Sequence, residues 1–305
     1  MPTRTTMEHP LAGSLVALPT PFRGTELDFE VFASLVEFHV EAATDGIVVA
    51  GTTGEASTLT EHEHRSLIHA AVEQARGRIT VVAGVGTNDT HESVELARFA
   101  GACGADALLV VTPYYNRPSR NGLLLHYGAI AEATSTPVIL YNVPGRTGVD
   151  LVPELARELG ERWESIVAIK ECSDSPERIR ELVQESGLAV FCGEDGRIAD
   201  FMQYGAAGAI SVIGNLVPND VAELVRAARP GGDAARAAQL VEHLAPLVRD
   251  LFIEVNPVPL KAALASLERC PSQVRLPLAP LEEAHARQLE STMRSYGAKL
   301  ELAPL

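Results

Sequence analysis

Eight short apolar runs, rich in β-branched residues, recur along the chain with room for a helix between successive pairs, and this alternation restricts the fold more than any other feature. The runs span residues 14–18, 46–50, 79–83, 107–111, 137–141, 166–170, 189–192 and 208–212. None follows a strict polar–apolar alternation, so each reads as a strand buried on both faces under a cover of helices. Intervening stretches such as 29–43 and 61–76 read as amphipathic helices. Eight β-then-α units predict an α/β fold, a (β/α)8 barrel. A doubly wound sheet is the competing architecture, but no Gly-x-Gly-x-x-Gly opening or P-loop is present. After Leu216 the strand signal stops. Segments 222–228, 233–252, 259–267 and 281–296 are helical by spacing, interrupted by Arg229-Pro230-Gly231-Gly232 and Asn256-Pro257-Val258-Pro259. The expected organisation is therefore a catalytic barrel over 11–230 and a C-terminal three-helix region over 231–305.

The sixth run, Ile166-Val167-Ala168-Ile169-Lys170, ends in a lysine. Of 25 basic residues only Lys170, Lys261 and Lys299 are lysines, so the chain meets its need for positive charge with arginine. A desolvated lysine can lose its proton and attack a carbonyl, which arginine cannot do. A lysine at a strand end can also snorkel to a salt bridge, for instance with Glu171, and position alone leaves both readings open.

In a barrel of this kind, functional groups collect where strands end and βα loops begin. Reading those positions gives Gly51-Thr52-Thr53-Gly54-Glu55 after the second strand, and Thr112-Pro113-Tyr114-Tyr115-Asn116 after the fourth. The fifth runs into Tyr141-Asn142-Val143-Pro144-Gly145-Arg146-Thr147-Gly148. The seventh ends in Cys192-Gly193-Glu194-Asp195 and the eighth in Ile210-Ser211-Val212. Two hydroxyls between glycines let a small anion approach backbone N–H groups. Tyrosine can donate and accept protons in turn, and Arg146 could grip a carboxylate bidentately. Each feature has a structural explanation of its own, since tyrosines cap strands, glycines make turns and arginines pair with acids. Their coincidence on successive strand ends points instead to one site where an amine meets an electrophilic carbonyl and forms an imine.

Other classes are disfavoured. A net charge of −15 argues against nucleic acid and anionic membrane surfaces as partners. No run approaches the ~20 apolar residues of a membrane-spanning helix, and the polar N-terminus lacks a signal-peptide core, so cytoplasm is the expected compartment. The four cysteines, Cys103, Cys172, Cys192 and Cys270, lack Cys-x-x-Cys spacing and read as reduced thiols. His62, His64 and His69 do not share an i, i+4 face, so no metal site is expected there.

At the strand-end residues the chain resembles the pyruvate-dependent lysine aldolase family that contains dihydrodipicolinate synthases and N-acetylneuraminate lyases. The resemblance runs from about Leu11 to Tyr296 and rests on Gly51-Thr52-Thr53-Gly54-Glu55, Tyr141-Asn142-Val143-Pro144-Gly145-Arg146-Thr147-Gly148 and Ile169-Lys170-Glu171. It implies that Lys170 forms the Schiff base with pyruvate and that Tyr141 is the proton donor and acceptor beside it. It further implies that Thr53 links Tyr141 to Tyr115, the latter contributed by a neighbouring subunit of a homotetramer built as a dimer of dimers. Thr52 and Thr53 would hold the pyruvate carboxylate, and the backbone at Gly193 and Ile210 would line the pocket. The Gly-Arg-Thr-Gly turn resembles the synthase branch, in which the arginine matching Arg146 binds the carboxylate of aspartate semialdehyde. The implied reaction is condensation of pyruvate with L-aspartate 4-semialdehyde to 4-hydroxy-tetrahydrodipicolinate in lysine biosynthesis, with no cofactor beyond the covalent imine and no metal. Alternatives are another pyruvate-forming aldolase of the family, acting on a keto-deoxy sugar acid or hydroxy-ketoglutarate, and a non-catalytic barrel that binds keto acids. The resemblance also marks His64, Asn88, Glu92 and Tyr114 as a candidate allosteric lysine site, with Glu61 where inhibited bacterial members commonly carry histidine. Lys261, following two prolines at a helix start, reads as structural.

Overall fold

A computed structural model of the chain describes residues 11–173 and 175–296. Its centre is a closed barrel of eight parallel strands: β1 Gly13–Ala17, β2 Gly46–Val49, β3 Thr80–Gly84, β4 Ala107–Val111, β5 Val138–Asn142, β6 Ile166–Glu171, β7 Ala189–Cys192 and β8 Gly208–Ser211. Each pairs with its neighbours in chain order, and β8 closes on β1 through pairs from Gly13↔Gly208 to Val16↔Ser211. The eight expected runs and these strands agree to within about one residue at each end.

Strand alternation divides the core in two. Leu15, Val48, Val82, Leu109, Ile139, Ala168, Phe191 and Ile210 point inward and fill the barrel. Their neighbours, such as Val16, Ile47, Val81, Leu108, Leu140 and Ile169, point outward and meet the helices. Because both faces are apolar, no strand can slide to a polar register, which explains the non-alternating sequence.

The barrel helices are α1 Phe29–Glu41, α2 Glu61–Ala75, α3 Thr90–Cys103, α4 Arg120–Glu132, α5 Pro153–Arg162, α6 Pro176–Glu185, α7 Ile198–Gln203 and α8 Pro218–Ala227. Most begin at readable signals. Asp28, Asp89 and Ser119 accept backbone N–H bonds as N-caps, Thr60 and Glu63 form a capping box, and α5, α6 and α8 start with proline. A short hairpin, Phe22–Arg23 against Glu26–Leu27, interrupts the first βα connection and was not expected from the sequence.

Beyond α8 come α9 Ala234–Leu251, α10 Val258–Ser266 and α11 Glu283–Tyr296. Helix α9 continues through Pro246 without a break. The expected C-terminal region extends to residue 305, of which 297–305, including Lys299, lie outside the described residues. Among the described residues no helix is long and apolar enough to cross a membrane.

Candidate active site

Lys170 and Tyr141 are register partners on β6 and β5. Two residues earlier on each strand, Ile139 and Ala168 face the barrel interior, and period two carries Tyr141 and Lys170 onto the same inward face at the strand ends. The Lys170 Nζ sits 4.5 Å from the centroid of the Tyr141 ring. Lys170 is only 7% exposed, so it does not snorkel to solvent, and Glu171 faces the opposite way.

Burial opposes the ammonium charge on Lys170, but its coupling to the ionisable groups around it, Tyr141, Cys172, Glu194 and Asp195, outweighs burial and raises the pKa above the ordinary lysine value. Burial raises the Tyr141 pKa as well, against the pull of Lys170. The resting pair at neutral pH is an ammonium beside a neutral phenol, and only after shedding a proton could the amine act as a nucleophile. A hydroxyl is close by: Thr52 Oγ1 lies 3.5 Å from Tyr141 Oη, a long contact of the kind that tightens when substrate binds.

This corrects one expectation. The bond to Tyr141 assigned above to Thr53 is made by Thr52. Thr53 is buried, and its Oγ1 instead accepts a 2.9 Å hydrogen bond from Asn256 Nδ2. The two threonines are adjacent on a tight turn, so they face different surroundings, and the sequence does not say which faces the tyrosine. The turn is fixed at its far end by Glu55, in the left-handed region at φ 54°. Its carboxylate takes Lys261 Nζ at 2.7 Å and the Arg275 backbone N–H at 2.9 Å. Lys261 is fully buried, also donates to the Thr20 carbonyl at 2.8 Å, and its ammonium lies over the Phe22 ring.

Gly193 follows β7 with its Cα against Lys170. A Cβ there would fall 2.3 Å from Cys172 Sγ and 2.9 Å from Lys170 Cε, so no larger residue fits while the lysine keeps its place. Asp195 ties this turn to the end of β8 by accepting from Ser211 Oγ at 2.5 Å and from the Val212 and Ile213 N–H groups. Ile210 is buried among the inward-facing residues. Cys172 and Glu194, to which the sequence assigns no role, also stand beside Lys170 and act on its charge. Their only sequence signal was adjacency to a strand end.

A cavity of about 410 Å³ opens from this mouth, lined in part by Gly51, Thr52, Tyr141, Val143, Arg146 and Thr147. Arg146 sits on the one-turn helix Pro144–Thr147, exposed, and among the described residues it makes no ion pair. Its unspent guanidinium suits an incoming carboxylate. Glu61, His64, Glu92 and Tyr114 line the same cavity. His64 is held by the Gly84 carbonyl at 2.7 Å, and burial lowers its pKa. Asn88 Nδ2 donates to the Tyr114 carbonyl.

Tyr115 does not join the site of its own chain. It is 89% exposed and held at φ 72°. Among the described residues one group of possible metal ligands is present, Glu254, Glu282 and His285, and it includes none of the strand-end residues.

The family model for the dihydrodipicolinate synthetase family matches residues 10–296. A 4-hydroxy-tetrahydrodipicolinate synthase from Geotalea uraniireducens is 47% identical over 287 residues, covering 93% of this chain and 98% of its own. The crystal structure of dihydrodipicolinate synthase from Aquifex aeolicus superposes with a TM-score of 0.92 at 43% identity, covering 95% of this chain and 100% of that one. The chloride-inhibited Acinetobacter baumannii dihydrodipicolinate synthase, complexed with pyruvate, superposes with a TM-score of 0.90 at 42% identity, covering 94% and 99%.

Proposed function

The chain belongs to the dihydrodipicolinate synthetase family, and from this premise we propose that it condenses pyruvate with L-aspartate 4-semialdehyde to give 4-hydroxy-tetrahydrodipicolinate, a step of lysine biosynthesis. The observation that carries this reading is the buried Lys170 amine stacked on Tyr141, with the Thr52 hydroxyl alongside.

The reaction follows from those groups. Deprotonated Lys170 adds to the pyruvate C2 carbonyl, and loss of water leaves an imine. The imine nitrogen withdraws electrons, so a methyl proton can leave C3 through the Tyr141 and Thr52 hydroxyls, giving an enamine. Its C3 attacks the aldehyde carbon of the second substrate, and the new alkoxide takes a proton from the same hydroxyls. The substrate amine then displaces Lys170 from C2, closing the ring and freeing the enzyme, with one water released overall. The covalent imine is the electron sink, so the sequence of steps calls for no separate cofactor.

Thr52 and Thr53 would receive the pyruvate carboxylate in the glycine-bounded turn, and the Gly193 and Ile210 backbones would line the pocket. Arg146 would grip the semialdehyde carboxylate. Tyr115, exposed in its own chain, would reach the site of a neighbour in a homotetramer.

Borohydride reduction in the presence of pyruvate should add one reduced pyruvate to Lys170, read by peptide mass. No adduct, or an adduct on Lys261, would overturn the assignment. The same cavity supports a second use. Glu92, with His64 and Tyr114 beside it, offers a carboxylate to the ammonium group of free lysine. Steady-state rates measured with and without L-lysine test this, and the Glu92→Gln variant should lose any inhibition seen.

A further inference from the structure

We propose that Asn256, from the segment joining α9 to α10, is a positioning residue for the keto acid: it sets the Thr53 hydroxyl as a donor to the substrate carboxylate. This rests on the reading of Thr53 as a contact of pyruvate. A hydroxyl has one proton and two lone pairs. Asn256 Nδ2 fills a lone pair of Thr53 Oγ1 at 2.9 Å, and among the described residues no acceptor takes the Thr53 proton. The proton is therefore left for an acceptor-only ligand, which a carboxylate is. Asn256 is itself buried, and among the described residues its Oδ1 has no hydrogen-bond partner, so the amide is held in place at a cost that packing alone would not select.

The rest of the segment keeps the two residues in register. Lys261 and the Arg275 backbone both bind Glu55, two residues beyond Thr53, and Lys261 also binds Thr20. The active-site turn is thus fastened from outside the barrel at two residues, Thr53 and Glu55, and only the Asn256 contact reaches a hydroxyl.

The test measures the pyruvate concentration that half-saturates borohydride trapping, and the KM for each substrate, in the wild type and in the Asn256→Asp, Asn256→Ala and Thr53→Val variants. An aspartate at 256 offers only acceptors, so it would draw the Thr53 proton to itself. Asn256→Asp should raise the pyruvate half-saturation about 10-fold or more while leaving the semialdehyde KM within about twofold. Added to Thr53→Val, either Asn256 change should raise it no further. Wild-type half-saturation in Asn256→Asp would overturn the proposal, as would equal losses for both substrates. If Asn256→Asp does not fold, the same comparison of Asn256→Ala with and without Thr53→Val decides. Absence of trapping in the wild type would instead overturn the imine mechanism on which the proposal rests.

Discussion

Lys170 holds its proton more firmly than a free lysine, because the acids around it outweigh the penalty of burial. The attacking species is the unprotonated amine, whose fraction grows with pH until the pKa is passed. At subsaturating pyruvate the rate of imine formation should therefore climb about tenfold per pH unit between roughly pH 6 and 9. A plateau in that interval, in stopped trapping with borohydride, would contradict the raised pKa. If Arg146, unpaired among the described residues, receives the semialdehyde carboxylate as proposed, Arg146→Ala should keep the pyruvate adduct while raising the semialdehyde KM by about 10-fold or more. Lysine rarity made Lys170 readable in the sequence, and Tyr141 was readable because it ends an adjacent strand. Which of Thr52 and Thr53 meets Tyr141 was not, since two identical neighbours in a turn differ only in which partner folding brings to each. Asn256 stayed hidden because its partner Thr53 is 203 residues away in the chain.

At the scale of the strand, β6 carries Lys170, the proposed nucleophile, on one face and an acid on the other. Glu171 is fully buried, accepts from Asn142 Nδ2 at 3.0 Å and faces Arg178 at 3.2 Å. Burial nevertheless prevails over Arg178 and pushes its pKa up to about 7. A carboxyl whose folded pKa is raised stabilises the fold below its unfolded value and loses that contribution as pH climbs to the folded one. Relative to Glu171→Gln, the wild type should lose on the order of 3 kcal/mol between about pH 4.5 and 7, read from urea midpoints. The loop after β7 makes a different demand. Gly193→Ala would force a methyl into Cys172 and Lys170, and should cut trapping about 100-fold. The double variant Gly193→Ala with Cys172→Ala should recover part of it. Strand positions were legible because buried parallel strands must be apolar throughout, and helix starts because caps and N1 prolines are local. The hairpin between β1 and α1 was not, since four paired residues carry no usable periodicity.

Closing eight strands places every βα loop at one rim, so the whole molecule, rather than any motif, decides which distant residues become neighbours. The barrel was predictable from repetition, but the grip of the C-terminal segment on the active-site turn was not, because long-range contacts such as Lys261 to Glu55 leave no periodic trace. Breaking that pair by Lys261→Met would leave the buried Glu55 carboxylate without its counter-charge, at a cost of about 3–5 kcal/mol in urea unfolding. Tyr115 poses the largest-scale question. An aromatic ring 89% exposed on a left-handed residue at the active-site rim has little reason to stand there for the sake of its own chain. If it completes the site of a neighbouring subunit, Lys170→Ala and Tyr115→Ala chains are each inactive alone but complementary. In a mixed pair, one site combines Lys170 from one chain with Tyr115 from the other, while the second site lacks both. Random reassortment of the two inactive proteins should then restore roughly a quarter of wild-type activity, since half the pairs are mixed and each holds one intact site. Mixing that restores nothing, with hybrids verified by mass, would return Tyr115 to a surface role and leave the proton relay to Thr52 and Tyr141 within one chain.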